Sequence, residues 1–206
     1  MIDIKVITSS SIGTNMYLVT DVASGKKCIV DCPPIRSRQL EFLKLNAPDG
    51  IEFILLTHGH FDHILGLGDM LEGFGGKIII HAADADCLHD REKALCRWEP
   101  NKALNYHADI TVAEGDEIKL GESVFKVLHT PGHTEGSVCY LCGDTLFSGD
   151  TLFKETCGRV DFPGGDGVKM KNSLQRLAGL ADDLRVLPGH NEETTLAYER
   201  KYNPYM

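Results

Sequence analysis

A cluster of histidine and aspartate residues directly after a short apolar segment constrains the fold of this chain most strongly. The segment Ile51–Leu56 has the continuous apolar composition of a buried strand. Four potential metal ligands follow it within six residues: His58, His60, Asp62 and His63. Neutral imidazoles and carboxylates suit zinc, iron and manganese. Because a loop that leaves a buried strand can turn several side chains toward one point, the cluster predicts a metal centre; a polar loop with surface histidines is the alternative.

Three further candidate ligands share a local pattern later in the chain, in which an apolar strand is followed by glycine and then by a ligand-type residue. They are His133, Asp150 and His190. Each of them alone would more often be a polar residue of a turn. Because the pattern occurs three times beside the dense cluster, we predict that all three residues join the same site.

The order of the predicted elements indicates an α+β protein. Strand patterns occupy the N-terminal third, helical patterns follow, and the same succession returns in the second half. The expected helices are Arg36–Asn46, Ile64–Gly73, Ala82–Leu95, an amphipathic helix from Met170 to Ala181, and Glu192–Lys201. Two sheets packed face to face with helices outside fit this order, as do other layered α+β folds. Since domains average about 150 residues, the 206 residues predict a single domain over positions 1–206.

Charge and composition argue against several classes of function. The 30 acidic and 21 basic residues give a formal net charge of −9 with neutral histidine, which disfavours a broad surface for nucleic acid or an anionic membrane. No stretch approaches the ~20 apolar residues of a membrane span, and the N-terminus lacks the pattern of a secretory signal. The seven cysteines are an odd, scattered set, so we expect reduced thiols and a cytoplasmic protein. The oligomeric state is left open.

Together the candidate ligands form a pattern that resembles the signature of the metallo-β-lactamase superfamily, from about residue 12 to the C-terminal end. The resemblance implies a four-layer αββα sandwich with the metal centre at one edge, between the sheets. It also implies two divalent metal ions, with zinc favoured and iron or manganese as alternatives. In the superfamily pattern the first ion would be held by His58, His60 and His133, the second by Asp62, His63 and His190, and Asp150 would bridge the two.

Within the superfamily, four segments are similar to small bacterial hydroxyacylglutathione hydrolases, the glyoxalase II group. They are Thr57–His63, His129–Thr134, Gly158–Asp166 and Tyr198–Pro204. The resemblance implies a thioesterase in which a hydroxide that bridges two metal ions attacks a small acyl thioester, while Asp62 orients the hydroxide and accepts its proton. Arg159 is the candidate for contact with the substrate, unless it pairs with Asp161. Longer members of the group carry an added C-terminal helical region that contributes to glutathione binding. This chain ends at Met206 before such a region, which leaves the thiol portion of the substrate open.

The same residues are compatible with other functions. His58, His133 and Asp150 could form the two-histidine, one-carboxylate site of a mononuclear iron persulfide dioxygenase of the same fold. A lactonase, a β-lactamase and a metal-binding protein without activity are less favoured alternatives, the last because the set of ligands is complete. Cys157 is expected either to pack in the core or to line the pocket, and His129 has no assigned role.

Overall fold

Two six-stranded sheets form the centre of the protein in a computed structural model that describes residues 1–9, 12–97, 104–181 and 184–206. The strands of the first sheet lie side by side in chain order: β1 (Ile2–Thr8), β2 (Asn15–Asp21), β3 (Lys27–Val30), β4 (Phe53–Leu55), β5 (Lys77–His81) and β6 (Ile110–Val112). Strands β1 to β3 are antiparallel, and strands β3 to β6 are parallel. The parallel part begins where the expected helices start to alternate with strands.

The second sheet is built from the later part of the chain. Its strands are β7 (Glu117–Leu120), β8 (Ser123–His129), β9 (Val138–Cys142), β10 (Thr145–Gly149), β13 (Arg185–Pro188) and β14 (Thr194–Thr195). The spatial order is β14-β13-β10-β9-β8-β7, with a parallel pair only at β10 and β13. A small separate hairpin, β11 (Leu152–Phe153) and β12 (Thr156–Cys157), follows β10.

Helices cover the outer face of each sheet. They are α1 (Ser37–Asn46), α2 (Phe61–Ile64), α3 (Leu67–Phe74), a 3₁₀ helix (Ala82–Leu88), α4 (Gly167–Ala178) and α5 (Leu196–Tyr202). Leu43 of α1 and Met70 of α3 pack in one buried cluster with Ile29 of the first sheet. Leu174 of α4 packs in another with Val186 of the second sheet. The four-layer αββα sandwich is therefore confirmed. Within the described parts of the chain, no helix has the length and apolar character needed to cross a membrane.

The interior between the two sheets explains why β2 is apolar on both of its faces. Side chains alternate along a strand, so Tyr17 and Val19 face the second sheet while Met16 and Leu18 face the helices. The rings of Tyr17 and Phe147 meet edge to face across the interface, with centroids 5.6 Å apart. A strand buried between two layers loses the polar alternation that marks a half-exposed strand.

The expected helix Ala82–Leu95 is wrong in its second half. The structure has a 3₁₀ helix only as far as Leu88. Beyond it, the Asp90 side chain accepts hydrogen bonds from the backbone N–H groups of Glu92 and Lys93, at 2.9 and 3.2 Å. An aspartate that bonds to the backbone in this way favours a turn over a continuing helix.

Two other expected helices begin later than predicted or are interrupted. The expected helix Ile64–Gly73 is divided, because the chain turns at Gly66, whose N–H donates to the Cys32 carbonyl at 2.9 Å. The helix expected over Glu192–Lys201 begins only at Leu196, because the two preceding threonines pair with β13 as strand β14.

Candidate metal centre

The seven predicted ligand residues come together at the edge of the sandwich where β4, β8, β10 and β13 end. They are His58, His60, Asp62, His63, His133, Asp150 and His190. The two sheets are joined at this edge by backbone hydrogen bonds. The N–H of Asn15 donates to the Gly189 carbonyl at 2.7 Å, and the N–H of Val138 donates to the Thr57 carbonyl at 2.9 Å. The site therefore draws on both halves of the fold.

The first cluster contains His58, His60 and His133, all of them buried. One ring nitrogen from each lies within 4.8 Å of the other two. The Nδ1 atom of His60 is 2.8 Å from Nε2 of His133, and the rings of His58 and His133 meet edge to face with centroids 4.8 Å apart. Three imidazole nitrogens at this spacing can occupy three positions around one divalent ion.

The second cluster contains Asp62, His63 and His190, again with one ligand atom from each within 4.8 Å of the others. The Nε2 atom of His190 is 3.2 Å from Oδ2 of Asp62 and 3.4 Å from Nε2 of His63. This cluster therefore combines two imidazoles with one carboxylate.

Asp150 lies between the two clusters. Its Oδ2 is 3.6 Å from Nε2 of His133 and 3.4 Å from Nε2 of His190, and its Oδ1 is 3.4 Å from Nε2 of His63. One carboxylate therefore reaches residues of both clusters, which is the position that a bridging ligand needs.

Two buried polar atoms at the centre fit divalent metal ions. His58 Nε2 and Asp150 Oδ1 are shielded from solvent and have no hydrogen-bond partner in the described parts of the chain. Leaving such an atom unsatisfied costs about 1–3 kcal/mol. Coordination to a cation would satisfy both atoms, so the residues present match a two-metal centre in donor type and number.

The histidines of the two clusters differ in their pKa values. Burial, followed by the charge of a neighbouring imidazole, lowers the pKa of His60 to about 3, so its ring is neutral at pH 7. Burial also opposes a charge on His63, but nearby carboxylates, led by Asp31, outweigh it and raise the pKa of His63 to about 9. Burial is likewise outweighed at His190, where Asp150 and Asp62 raise the pKa to about 10. Burial also holds the pKa of His58 well below its ordinary value, so these two rings of the first cluster are neutral, whereas the second cluster is held together by ion pairs.

Asp31 and Thr14 orient the second cluster, and no sequence pattern singled them out. The buried Oδ2 of Asp31 is 2.9 Å from Nδ1 of His63, and its Oδ1 accepts from the N–H of Thr57 at 2.8 Å. The hydroxyl of Thr14 donates to Oδ2 of Asp62 at 3.0 Å. A carboxylate on the far nitrogen of a metal-binding histidine fixes the ring orientation. The sequence signal that could have found Asp31 is an aspartate directly after a buried strand. The structure gives Asp31 a φ of 61°, a conformation that aspartate adopts more readily than most residues.

Arg159 contributes to the site through its backbone. Its carbonyl accepts a hydrogen bond from Nδ1 of His133 at 2.7 Å, and this orients the ring with Nε2 toward the other residues of the first cluster. The Arg159 guanidinium makes two hydrogen bonds to Asp161, at 2.7 and 2.6 Å, and lies 3.9 Å from the centre of the Phe162 ring. The expected alternative, pairing with Asp161, is therefore present, and contact with a substrate stays a prediction.

A cavity of about 490 Å³ opens beside the two clusters. Apart from the ligand residues, its walls are formed by Ile12, Phe61, Leu95, Phe153, Thr156, Cys157, Arg159 and Phe162. Cys157 thus lines the pocket, and burial raises the pKa of its thiol, which stays neutral at pH 7. His129 stacks on His81 with ring centroids 4.1 Å apart and is not among the residues that line this cavity.

The sequence matches a family model described as the metallo-beta-lactamase superfamily over residues 12–190. The chain belongs to this superfamily. The match contains all seven ligand residues and extends from just before β2 to His190. The predicted superfamily is confirmed.

Relatives in the superfamily include hydroxyacylglutathione hydrolases. One from Bradyrhizobium sp. (strain ORS 278) is 37% identical, over 91% of this chain and 66% of its own length. Hydroxyacylglutathione hydrolase GloC from Haemophilus influenzae is 31% identical, over 82% of this chain and 80% of its own length. These relatives, with the histidine and aspartate clusters, support a metal-dependent hydrolase.

Solved structures of superfamily members share the fold over nearly the whole chain. BLEG-1, a B3 metallo-beta-lactamase, has a TM-score of 0.88 at 30% identity and covers 100% of this chain and 99% of its own. TTHA1623 in a di-iron-bound form has a TM-score of 0.85 at 32% identity, and the match covers 98% of this chain and 100% of TTHA1623. ETHE1 from Myxococcus xanthus has a TM-score of 0.81 at 31% identity, and the match covers 98% of this chain and 83% of ETHE1. TTHA1623 is thus an example of this fold with two iron ions.

Proposed function

We propose that this protein is a thioesterase of the glyoxalase II type that hydrolyses a small acyl thioester. The observation that carries the proposal is the pair of complete ligand clusters beside one cavity, with Asp150 reaching both. The similarity to hydroxyacylglutathione hydrolases supports the choice of thioesters.

The proposed metals are two divalent ions, with zinc favoured and iron or manganese as alternatives. One ion would be held by the first cluster, which is His58, His60 and His133. The other ion would be held by the second cluster, which is Asp62, His63 and His190, and Asp150 would contact both ions. When bound, such a pair lowers the pKa of a shared water and polarises a carbonyl group. All seven side chains are largely buried, so the chain excludes bulk water from everything except the cavity side.

Asp62 is the proposed residue that orients the attacking water. Burial disfavours its charge, but the two neighbouring histidines of its cluster, His63 and His190, outweigh this and keep its pKa well below the ordinary value. At neutral pH its carboxylate is therefore ionised and can only accept hydrogen bonds. Because Thr14 and His190 both contact Oδ2, the orientation of the carboxylate is fixed before a substrate arrives.

The cavity favours a leaving group that needs no proton. Apart from the ligand residues, the only ionisable side chains among its described lining residues belong to Cys157 and Arg159. The thiol of Cys157 has a raised pKa, and a guanidinium does not release its proton near neutral pH. Neither is a suitable acid for an amine. A thiolate, with a conjugate pKa near ~8.5, departs without such help. This supports thioesters over β-lactams.

Arg159 is the proposed contact for an anionic part of the substrate. It lies at the cavity wall, and its partner Asp161 is as exposed as the guanidinium itself. Breaking this exposed ion pair to bind a substrate anion costs little, because solvent screens both charges. Replacing Arg159 by alanine should raise KM for an anionic thioester tenfold or more. The matched control is Arg185→Ala, because Arg185 also pairs with a carboxylate, that of Glu193, but does not line this cavity. An unchanged KM in Arg159→Ala removes Arg159 from the substrate site.

The decisive test combines metal analysis of the purified protein with hydrolysis of S-lactoylglutathione, other acyl thioesters and a cephalosporin. We expect two divalent ions per chain and turnover of thioesters alone. Asp150→Ala should lose metal and turnover together, while Asp144→Ala, which alters an exposed carboxylate between β9 and β10, should lose neither. Two bound ions without thioester turnover would contradict the proposal.

A mononuclear iron persulfide dioxygenase is the second candidate. His58 and His133 meet at 4.8 Å between ring centroids, and Asp150 Oδ2 is 3.6 Å from His133, so a two-histidine, one-carboxylate set is present. A chain that purifies with one iron and consumes O₂ with a persulfide would establish this function and exclude the thioesterase.

A further inference from the structure

The 3₁₀ helix after β5 places one buried carboxylate, that of Asp84, between two loops that carry metal ligands. Asp84 has only 3% of its surface exposed. One loop holds His58 and His60, and the other holds His133. The helix itself provides no metal ligand, so its contacts with the two loops require another explanation.

Among the residues that the structure describes, three donate hydrogen bonds to Asp84, and all three lie in these two loops. The N–H of Gly59 donates to Oδ2 at 3.0 Å, and Gly59 lies between the ligands His58 and His60. The hydroxyl of Thr134, next to His133, also donates to Oδ2 at 2.7 Å, and the N–H of Gly136 donates to Oδ1 at 2.8 Å. Both oxygens of one carboxylate therefore join the loops of the first cluster.

The two loops also pack tightly against the 3₁₀ helix that carries Asp84. A Cβ atom on Gly59 would lie 2.4 Å from Cβ of Cys87, on the same 3₁₀ helix. A Cβ atom on Gly136 would lie 2.6 Å from the Asp84 carboxyl group. Only glycine allows each loop to approach this closely, so the geometry is set by direct contact as well as by hydrogen bonds.

We propose that Asp84 is a positioning residue that sets the metal affinity of the first cluster. It fixes the distance between His60 and His133, because it holds the chain beside each of them. The second cluster has its own contacts, since Asp31 contacts His63 and Thr14 contacts Asp62. The affinity of one metal position should therefore depend on Asp84 and that of the other should not. This holds whichever reaction the metals support, so it does not rest on thioester hydrolysis.

The test is the Asp84→Asn variant, which keeps the shape of the side chain. Its amide nitrogen can only donate, so at least one of the three donors loses its acceptor and meets another donor. Metal affinity is measured for Zn²⁺ by competition with a chelator, and the ligand geometry is followed through the absorption bands of Co²⁺ bound in place of zinc.

Asp21→Asn is the matched control. Asp21 is a fully buried carboxylate that also joins two turns, through hydrogen bonds from Ser24, Ser123 and Glu122. It is the last residue of β2, and it is not among the residues of the metal clusters or the cavity. The Asp21→Asn substitution should lower the melting temperature of the protein without changing its affinity for metal.

We expect Asp84→Asn to bind one of its two Zn²⁺ equivalents 10- to 100-fold more weakly, with altered Co²⁺ bands and the other equivalent unchanged. Thr134→Val, which removes a single donor, should show the same selective change at about threefold or more. Wild-type affinity at both positions in either variant would overturn the proposal. Equal loss of metal in Asp21→Asn would overturn it too, because affinity would then follow stability alone.

Discussion

Gly189 offers a test of the metal centre that alters no ligand. The residue lies directly before His190, and its φ is not positive, so alanine fits its backbone conformation. A Cβ atom there would lie 2.2 Å from Oδ1 of Asp150 and 2.8 Å from Cε1 of His63. Contacts of this kind below 3.0 Å are essentially never observed, so the Asp150 oxygen would have to retreat by about 0.8 Å.

A shift of that size matters because carboxylate–zinc bonds are only about 2.0–2.2 Å long. We expect Gly189→Ala to weaken metal binding about 10- to 100-fold, comparable to the loss of a residue that supports a ligand. Both metal equivalents should be affected, because Asp150 reaches residues of both clusters. The assay is chelator competition, with metal content measured on the same samples and unfolding followed by circular dichroism.

Gly73→Ala is the control for this prediction. Gly73 lies in α3, and a Cβ atom there would meet nothing within 4 Å. Alanine should stabilise the helix by up to about 1 kcal/mol and leave metal affinity unchanged. If Gly189→Ala retained two metal equivalents at wild-type affinity, the steric reasoning would be refuted.

Three further changes test the structure away from the metals. Tyr140→Phe removes the hydroxyl that donates to the Leu56 carbonyl at 2.9 Å, and should lower the free energy of unfolding in urea by about 1 kcal/mol. Asp166→Ala removes the acceptor for two backbone N–H groups at the start of α4 and should lower the free energy of unfolding in the same assay, whereas Asp166→Asn should lower it less. Burial raises the pKa of Cys139 from its ordinary 9.0 to about 11, so the folded state keeps this proton longer than the unfolded state. The associated stability is complete below pH 9 and should be lost by about 1.4 kcal/mol per pH unit up to pH 11, with a shallower decline in Cys139→Ala.

The grouping of the seven candidate ligands could be predicted because each lies in a short motif beside a recognisable apolar strand. His133, Asp150 and His190 all follow a strand and a glycine, and the structure brings them beside the earlier cluster. Asp31 also follows a buried strand, but without the intervening glycine of the other three, and Asp84 follows no such pattern. Asp84 finds its partners 25 to 52 residues away, and contacts at such separations leave no local pattern.

The helix boundaries were harder to predict for a related reason. Apolar spacing over Ala82–Leu95 is compatible with one helix, and the side-chain hydrogen bonds of Asp90 decide otherwise. At the C-terminal helix, pairing of Thr194 and Thr195 with β13 delays the start to Leu196. In both places a specific bond that periodicity does not record overrides the helical pattern.

The distribution of ligands between the two halves of the fold has a consequence for how the protein matures. Each cluster takes two ligands from the first half and one from the second: His133 completes one, and His190 completes the other. A growing polypeptide therefore cannot assemble either cation-binding pocket from its early segments alone. The position completed by His190 requires β13 to pair with β10, whereas His133 precedes β10 in the chain.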